Sequence, residues 1–310
     1  MLREGTVLEG VGGRYRVRLD GEGEMVEAAL RGRLKKEARR GERVLAGDRV
    51  RLRLDDPGTP TIEEVLPRRT ELVRSGPGGR HPKRVAANVD RILVVLAADD
   101  PPFRQESADR FLALAESSGV PPVLILNKVD LIGDDPALRT GVEAALELYR
   151  EVGYPVITTS ALTGEGIDDL RALLSSGSSV LVGPSGVGKS SLLNALDPSL
   201  DLRTREVSAR AGRGRHTTVS ARLLPIAGDG WVVDTPGFSD VTLWGVAPDE
   251  LSHAFPDLDR WAPECRFRSC RHLDEPGCAV KEALERGEVD PERYRSYRVL
   301  FEEADAAPAW

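Results

Sequence analysis

The nine residues Gly183-Pro184-Ser185-Gly186-Val187-Gly188-Lys189-Ser190-Ser191 carry the densest chemical signal in the chain, the first eight fitting G-x-x-x-x-G-K-[ST] at every fixed position. Glycines in this pattern let the backbone wrap phosphate, with successive N–H groups and a helix N-terminus facing the negative charge. Lys189 would reach the β- and γ-phosphates, and the Ser190 hydroxyl would bind Mg²⁺. The motif follows a strand-like run, Ser179–Val182, and opens a helical stretch through Leu193, which is the setting it requires.

The base-selecting chemistry lies upstream. Asn127-Lys128-Val129-Asp130 follows the apolar run Val123–Leu126, so it falls at the carboxyl end of a strand, where open α/β sheets bind ligands. A carboxylate there accepts both N1–H and N2–H₂ of guanine, whereas adenine offers no matching donor pair. Asp130 is thus expected to select the base, Asn127 to brace the loops, and the Lys128 stem to lie over the ring. Ser160 and Ala161, after a strand ending at Thr159, would complete the pocket through backbone N–H groups.

Downstream, Asp234-Thr-Pro-Gly237 follows the strand Trp231–Val233. Asp234 can hold Mg²⁺ through water while the Gly237 N–H faces the γ-phosphate. The Arg- and Gly-rich stretch 203–220 contains Gly214-Arg-His-Thr-Thr218, in which Thr217 or Thr218 would bind Mg²⁺ in the triphosphate state. Phe238 stands where many such enzymes carry a glutamine that orients the attacking water. Intrinsic hydrolysis should then be slow, with another loop or a partner supplying the missing group. His216 is the candidate in cis; the alternative reading is a surface histidine on a basic loop.

A second cluster uses every cysteine of the chain: Cys265-x₄-Cys270-x-His272-x₅-Cys278. Three thiols and one imidazole can close a tetrahedral site on Zn²⁺, and four protein ligands leave no open position, so one structural zinc is expected. Arg266, Arg268 and Arg271 interleave with the ligands and would be displayed by the pinned loop as a phosphate-contacting surface.

Three kinds of texture must position these groups. Residues 1 to about 70 alternate apolar and polar positions, as in Arg14–Leu19 and Asp48–Leu54, which predicts a small antiparallel barrel. Ser75–Pro82 concentrates Gly and Pro and reads as a linker. From Asp90, strand-length runs alternate with helical stretches at Ser107–Ser118, Pro136–Val152 and Gly166–Leu174, the rhythm of a parallel sheet covered by helices. Beyond Ser239 only helices are expected, at Pro248–Phe255, Val280–Arg286 and Pro291–Glu303.

At 310 residues the chain is too long for one ordinary domain, and 40% hydrophobic with 30% charged residues describes a globular protein. The strongest apolar run, Ile92–Ala98, is far shorter than a membrane span, and the first ten residues are charged where a signal peptide is apolar. A cytoplasmic protein without membrane contact is expected. The net charge of −7 conceals a segregation: residues 1–88 hold 20 Lys and Arg against 14 Asp and Glu, net +6, and the remainder 23 against 36, net −13. A basic first domain suits a phosphate-bearing partner. Its sole aromatic is Tyr15, so RNA would be held there by shape and phosphate, through Arg14, Arg16, Arg18 and the Arg31–Arg40 stretch, rather than by stacking.

The order of the motifs is unusual, because the base-selecting residues precede the phosphate loop. That order reads as a circularly permuted GTPase. With the Cys₃His cluster, Asp234-Thr-Pro-Gly-Phe238, Ala87-Asn-Val-Asp90 and Arg293-Tyr-Arg-Ser-Tyr297, the whole chain resembles the RsgA/YjeQ family of ribosome-assembly GTPases. The resemblance implies an OB-type all-β barrel over residues 1–75, a permuted P-loop GTPase with a doubly wound sheet over 76–240, and a helical zinc-binding domain over 241–310. It also implies binding to the small ribosomal subunit and its rRNA late in maturation, with hydrolysis stimulated by the subunit. GTP and GDP would be the nucleotides and the chain a monomer. A GTP-regulated RNA-binding switch in translation or stress control, with hydrolysis secondary, is the alternative; a phosphotransferase lacks any evident acceptor site.

Overall fold

The computed structural model describes residues 1–21, 23–39, 43–54, 58–75, 82–133, 135–200, 202, 221–226, 228–234 and 247–306. The chain divides into two compact units, neither continuous in sequence. One comprises Met1–Arg91, Arg171–Leu181 and Val207–Phe238, the other Ile92–Leu170, Val182–Glu206 and Ser239–Trp310.

In the first unit the alternating segments become β1 (Leu2–Val11), β2 (Arg14–Leu19), β3 (Met25–Leu30), the helix α1 (Gly32–Arg39), β4 (Arg49–Arg53) and β5 (Thr61–Val65). They close a barrel in the order β1-β2-β3-β5-β4, with β3 and β5 parallel and the other pairs antiparallel. Inward residues Val7, Val17, Leu19, Val50, Leu52 and Ile62 are buried, each contributing about 1.5–3 kcal/mol. Gly5 is required where β1 crosses β2, since a Cβ there would sit 2.5 Å from the Arg18 carbonyl oxygen.

The strands β6 (Glu71–Ser75) and β7 (Pro82–Ala87) pair antiparallel, so the Gly/Pro segment read as a linker joins two strands of a ribbon. Asn88 anchors this ribbon to the barrel: its amide donates to the Gly47 carbonyl at 2.9 Å and its oxygen accepts from Arg69 N–H at 2.8 Å. Buried Asp48 accepts from Arg68 at 2.7 Å and from Leu45 N–H at 2.7 Å, which satisfies the carboxylate.

The second unit holds three parallel strands, β8 (Arg91–Ala97), β9 (Pro122–Asn127) and β10 (Val156–Thr158), in the order β10-β9-β8. Parallel neighbours need crossovers, supplied by α2 (Gln105–Ser117) and α3 (Pro136–Val152). The helix α3 starts sharply because Asp135 accepts from Ala137 N–H at 2.9 Å, and it stops at Gly153, whose φ of 106° is left-handed. There follow α4 (Ile167–Leu173), β11 (Ser178–Val182), α5 (Lys189–Leu196), β12 (Arg222–Pro225) and β13 (Trp231–Asp234). In the first unit β11 runs parallel to β13, whereas β12 pairs with β13 antiparallel.

The last segment begins with a 3₁₀ turn, Pro248–Ala254, rather than an α-helix, then α6 (Pro256–Asp259), α7 (Ala279–Glu285) and α8 (Pro291–Ala306). Its core is Leu251, Phe255, Leu258, Val280, Tyr297, Leu300 and Phe301. The fully buried Arg293 of α8 donates to Asp109 of α2 at 2.7 Å and to Asp257 at 3.1 Å, while the Tyr149 hydroxyl donates to Asp109 at 2.7 Å. The pairing keeps the Arg293 guanidinium protonated, its affinity for the proton well above the ordinary value despite burial.

Candidate functional site

The phosphate loop spans the gap from β11 to α5. Gly183, Gly186 and Gly188 have φ of 143°, 85° and 93°, conformations that a side chain would oppose. Two of them also permit close approach. A Cβ on Gly183 would lie 2.0 Å from the Val95 carbonyl oxygen, and one on Gly188 would lie 2.3 Å from the Asn127 amide nitrogen. Lys189 folds back over the loop and donates to the Gly183 and Pro184 carbonyls at 2.7 Å each. Ser185 is exposed, Val187 is buried, and Ser190 and Ser191 lie on the first turn of α5.

Asn127 is 1% exposed and holds three segments at once. Its amide donates to the Val187 carbonyl of the phosphate loop at 2.9 Å, while its oxygen accepts from the Thr159 hydroxyl at 3.2 Å and Ala161 N–H at 3.3 Å. Val129 N–H adds a bond to the Thr159 carbonyl at 3.2 Å. The Ser160 hydroxyl accepts from Leu162 and Thr163 N–H at 3.3 and 3.1 Å, which leaves its proton for the Asp130 carboxylate. That bond fixes the carboxylate's direction. Lys128 has a left-handed φ of 60° and its ammonium meets the Asp100 carbonyl. The expected base pocket and phosphate loop, 127–130, 160–161 and 183–191, are therefore one hydrogen-bonded neighbourhood.

Asp234 ends β13 and accepts from Arg222 Nε at 3.0 Å. His216, Thr217, Thr218 and Gly237 lie outside the described residues.

The donor atoms of Cys265, Cys270, His272 and Cys278 all lie within 4.8 Å of one another. His272 Nδ1 is 3.5 Å from both Cys265 Sγ and Cys278 Sγ, so Nδ1 is the nitrogen turned to the cluster. Burial, with neighbouring thiols adding to it, pushes the Cys270 thiol up to about 12; burial also raises Cys278 and lowers the His272 imidazole. Three sulfurs and one imidazole nitrogen converging in this way are a donor set that fits a tetrahedral metal cation, which would hold the sulfurs as thiolates. His272 itself has φ of 60°, a conformation held by Tyr294, whose hydroxyl donates to the His272 carbonyl at 2.7 Å, and Tyr297, which donates to the Arg271 carbonyl at 2.5 Å. Glu275 accepts from Arg271 and Leu273 N–H at 3.0 Å each; burial works against its carboxylate but these bonds outweigh it and keep the group below its ordinary value.

Two features escaped the sequence reading. The sequence reading placed Arg293 on a helix but gave no sign that it is buried between Asp109 and Asp257. Nor does alternation along the strands show the acidic groups that face three of the barrel arginines expected to meet phosphate: Arg14 lies 3.1 Å from Glu27, Arg16 3.8 Å from Glu9, and Arg18 3.2 Å from Asp229. Arg18 also lies over the Trp231 ring, 5.2 Å from its centroid.

Comparison with known proteins bears on the family and the fold. The family profile described as RsgA GTPase matches residues 65–244, and that of the RsgA N-terminal domain matches 4–62. A relative from Gemmatimonas aurantiaca named small ribosomal subunit biogenesis GTPase RsgA is 45% identical over 303 residues, covering 96% of each chain. One of the same name from Moorella thermoacetica is 42% identical over 304 residues, covering 98% of each. The crystal structure of YjeQ from Thermotoga maritima superposes with a TM-score of 0.83 at 35% identity, covering 99% of this chain and 100% of that one. That of YloQ, described as a circularly permuted GTPase, gives 0.81 at 32% identity, covering 100% and 98%. A profile spanning more than half the sequence, relatives matched along nearly its whole length and a permuted fold in common together make this chain a member of the RsgA GTPase family.

Proposed function

We propose that the chain hydrolyses GTP as a late maturation factor of the small ribosomal subunit, docking on its rRNA. The observation that carries the nucleotide reading is Asn127, whose side chain ties the base-selecting strand to the phosphate loop. Asp130 would accept from guanine, with Lys128 over the ring and Val129, Ser160 and Ala161 shaping the pocket. Gly183 to Ser191 would enclose the phosphates, Lys189 leaving its carbonyl partners for the β- and γ-oxygens. Ser190, Asp234 and one of Thr217 or Thr218 would hold Mg²⁺, which when bound spreads the charge of those phosphates. The Gly237 N–H would face the γ-phosphate and His216 would orient water. Cys265, Cys270, His272 and Cys278 would hold one structural Zn²⁺. The name carried by the relatives supports the ribosomal reading. Domain limits at 75 and 240, a monomeric state and a cytoplasmic location complete the proposal; no helix among the described residues is long and apolar enough to cross a membrane.

Phosphate release measured with and without purified small subunits tests it. The expected result is marked stimulation by subunits, abolished in Lys189→Ala. A rate indifferent to subunits would sink the maturation reading, and nucleotide-dependent binding without stimulation would favour a regulatory switch.

A further inference from the structure

Between the first two cysteines of the cluster stands the tetrapeptide Arg266-Phe267-Arg268-Ser269, all four residues exposed. Phe267 is 43% exposed and is the one exposed aromatic among the described residues. The neighbouring cysteines and two backbone bonds hold this tip: Cys270 N–H donates to the Phe267 carbonyl at 3.2 Å, and Arg266 N–H donates to the Gly277 carbonyl at 2.9 Å. The Arg266 guanidinium lies 5.4 Å from the Phe267 ring centroid. Neither Arg266 nor Arg268 has a carboxylate partner among the described residues, and Arg271 has only Asp249 at 3.8 Å. Glu275 is turned to backbone N–H groups and does not neutralise them.

We infer that this tip is a stacking platform for an unpaired RNA base, with Phe267 taking the base face and Arg266 and Arg268 the flanking phosphates. The inference rests on the RNA-binding reading above and gives it a contact residue. An apolar ring left in water on a held loop has its ordering cost already met, and a base is the flat partner that suits it. Two cations without acidic partners favour a polyanion over an apolar protein surface, and an exposed base requires single-stranded or looped RNA rather than a duplex.

The test compares the native chain with Phe267→Ala, Phe267→Leu and Phe267→Trp, titrated into a single-stranded RNA oligonucleotide carrying 2-aminopurine and into a duplex of equal length. Metal content is measured for each variant. The expected result is a loss of about tenfold for single strands in the Ala and Leu variants, recovery in Trp, an unchanged salt slope and unchanged duplex binding. Leu binding as tightly as the native Phe would overturn stacking, as would an equal loss on single strand and duplex. If Ala loses its metal, Leu against Trp decides. Native binding that is insensitive to Phe267 overturns only this inference, whereas no RNA binding by the native chain sinks both readings. A loss seen on intact subunits but absent on RNA would assign Phe267 to a protein contact and overturn the proposal.

Discussion

On the barrel surface arginines face carboxylates across strands: Arg14 meets Glu27 at 3.1 Å, Arg51 meets Glu64 at 2.6 Å and Glu4 at 2.9 Å, and Arg53 meets Glu63 at 3.2 Å. On the cysteine-rich loop, Arg266 and Arg268 have no such partners among the described residues and flank an exposed ring. The barrel carries more cations, but Arg14, Arg51 and Arg53 face carboxylates, while the loop sets Arg266 and Arg268 outward with no carboxylate beside them among the described residues. Net charge by segment is therefore a poor guide to where a polyanion is gripped, because the pairing decides how much of each charge is available outward.

The two regions also differ in what holds them together, and that difference gives the largest expected effect. The barrel has its own buried core, whereas the loop has few buried apolar groups of its own and would be pinned chiefly by its four donors. Cys278→Ser should leave less than about half an equivalent of metal and open the C-terminal segment to protease, with the barrel intact; structural zinc supplies on the order of 10–16 kcal/mol in small domains. Metal kept at full occupancy, or a barrel that falls with it, breaks the contrast.

Ion pairs offer the next scale. Arg293→Met strands Asp109 and Asp257 in the interior, and chemical denaturation should show a loss of about 3–5 kcal/mol. Arg14→Ala removes an exposed pair and should cost about 1 kcal/mol or less. Equal losses would mean that burial does not separate the two classes.

Acid should weaken the first unit more gradually. The bond from Arg49 lowers the Asp20 carboxyl; burial opposes the effect at Glu71, but Arg68 and Arg84 still hold it below its ordinary value. A carboxyl depressed in the fold contributes stability above its unfolded range, near pH 4, and that contribution disappears as pH falls through the folded value. Thermal midpoints should drop below about pH 4, and a midpoint flat to lower pH would contradict these pairings.

The smallest effect concerns binding. Arg268→Ala should reduce the salt slope of RNA affinity by about one, whereas the neutral double change Arg14→Gln with Glu27→Gln should leave it unaltered. Equal slopes in both would mean that the pairing seen on the barrel does not hold in solution.

The segments expected to form the nucleotide site were legible in the sequence because their residues act through local spacing. A lysine six residues after a glycine, or an Asp-Pro start and Gly stop around α3, carries its geometry in the sequence. The cross-strand arginine pairs were not, since alternation places Arg and Glu alike on the outer face and only the register shows that they meet. The burial of Arg293 was hidden for another reason: no local spacing shows that carboxylates from two distant segments, Asp109 and Asp257, surround it. The pairing of β6 with β7 was not legible either, because a break in composition does not show whether the strands on either side of it meet.

The Asn127 side chain joins the two halves of the proposed nucleotide pocket through a single amide. Occupying either half restricts the same group, so guanosine and inorganic pyrophosphate supplied as separate fragments should help each other bind, and trimming that amide would leave two subsites that no longer add up to one.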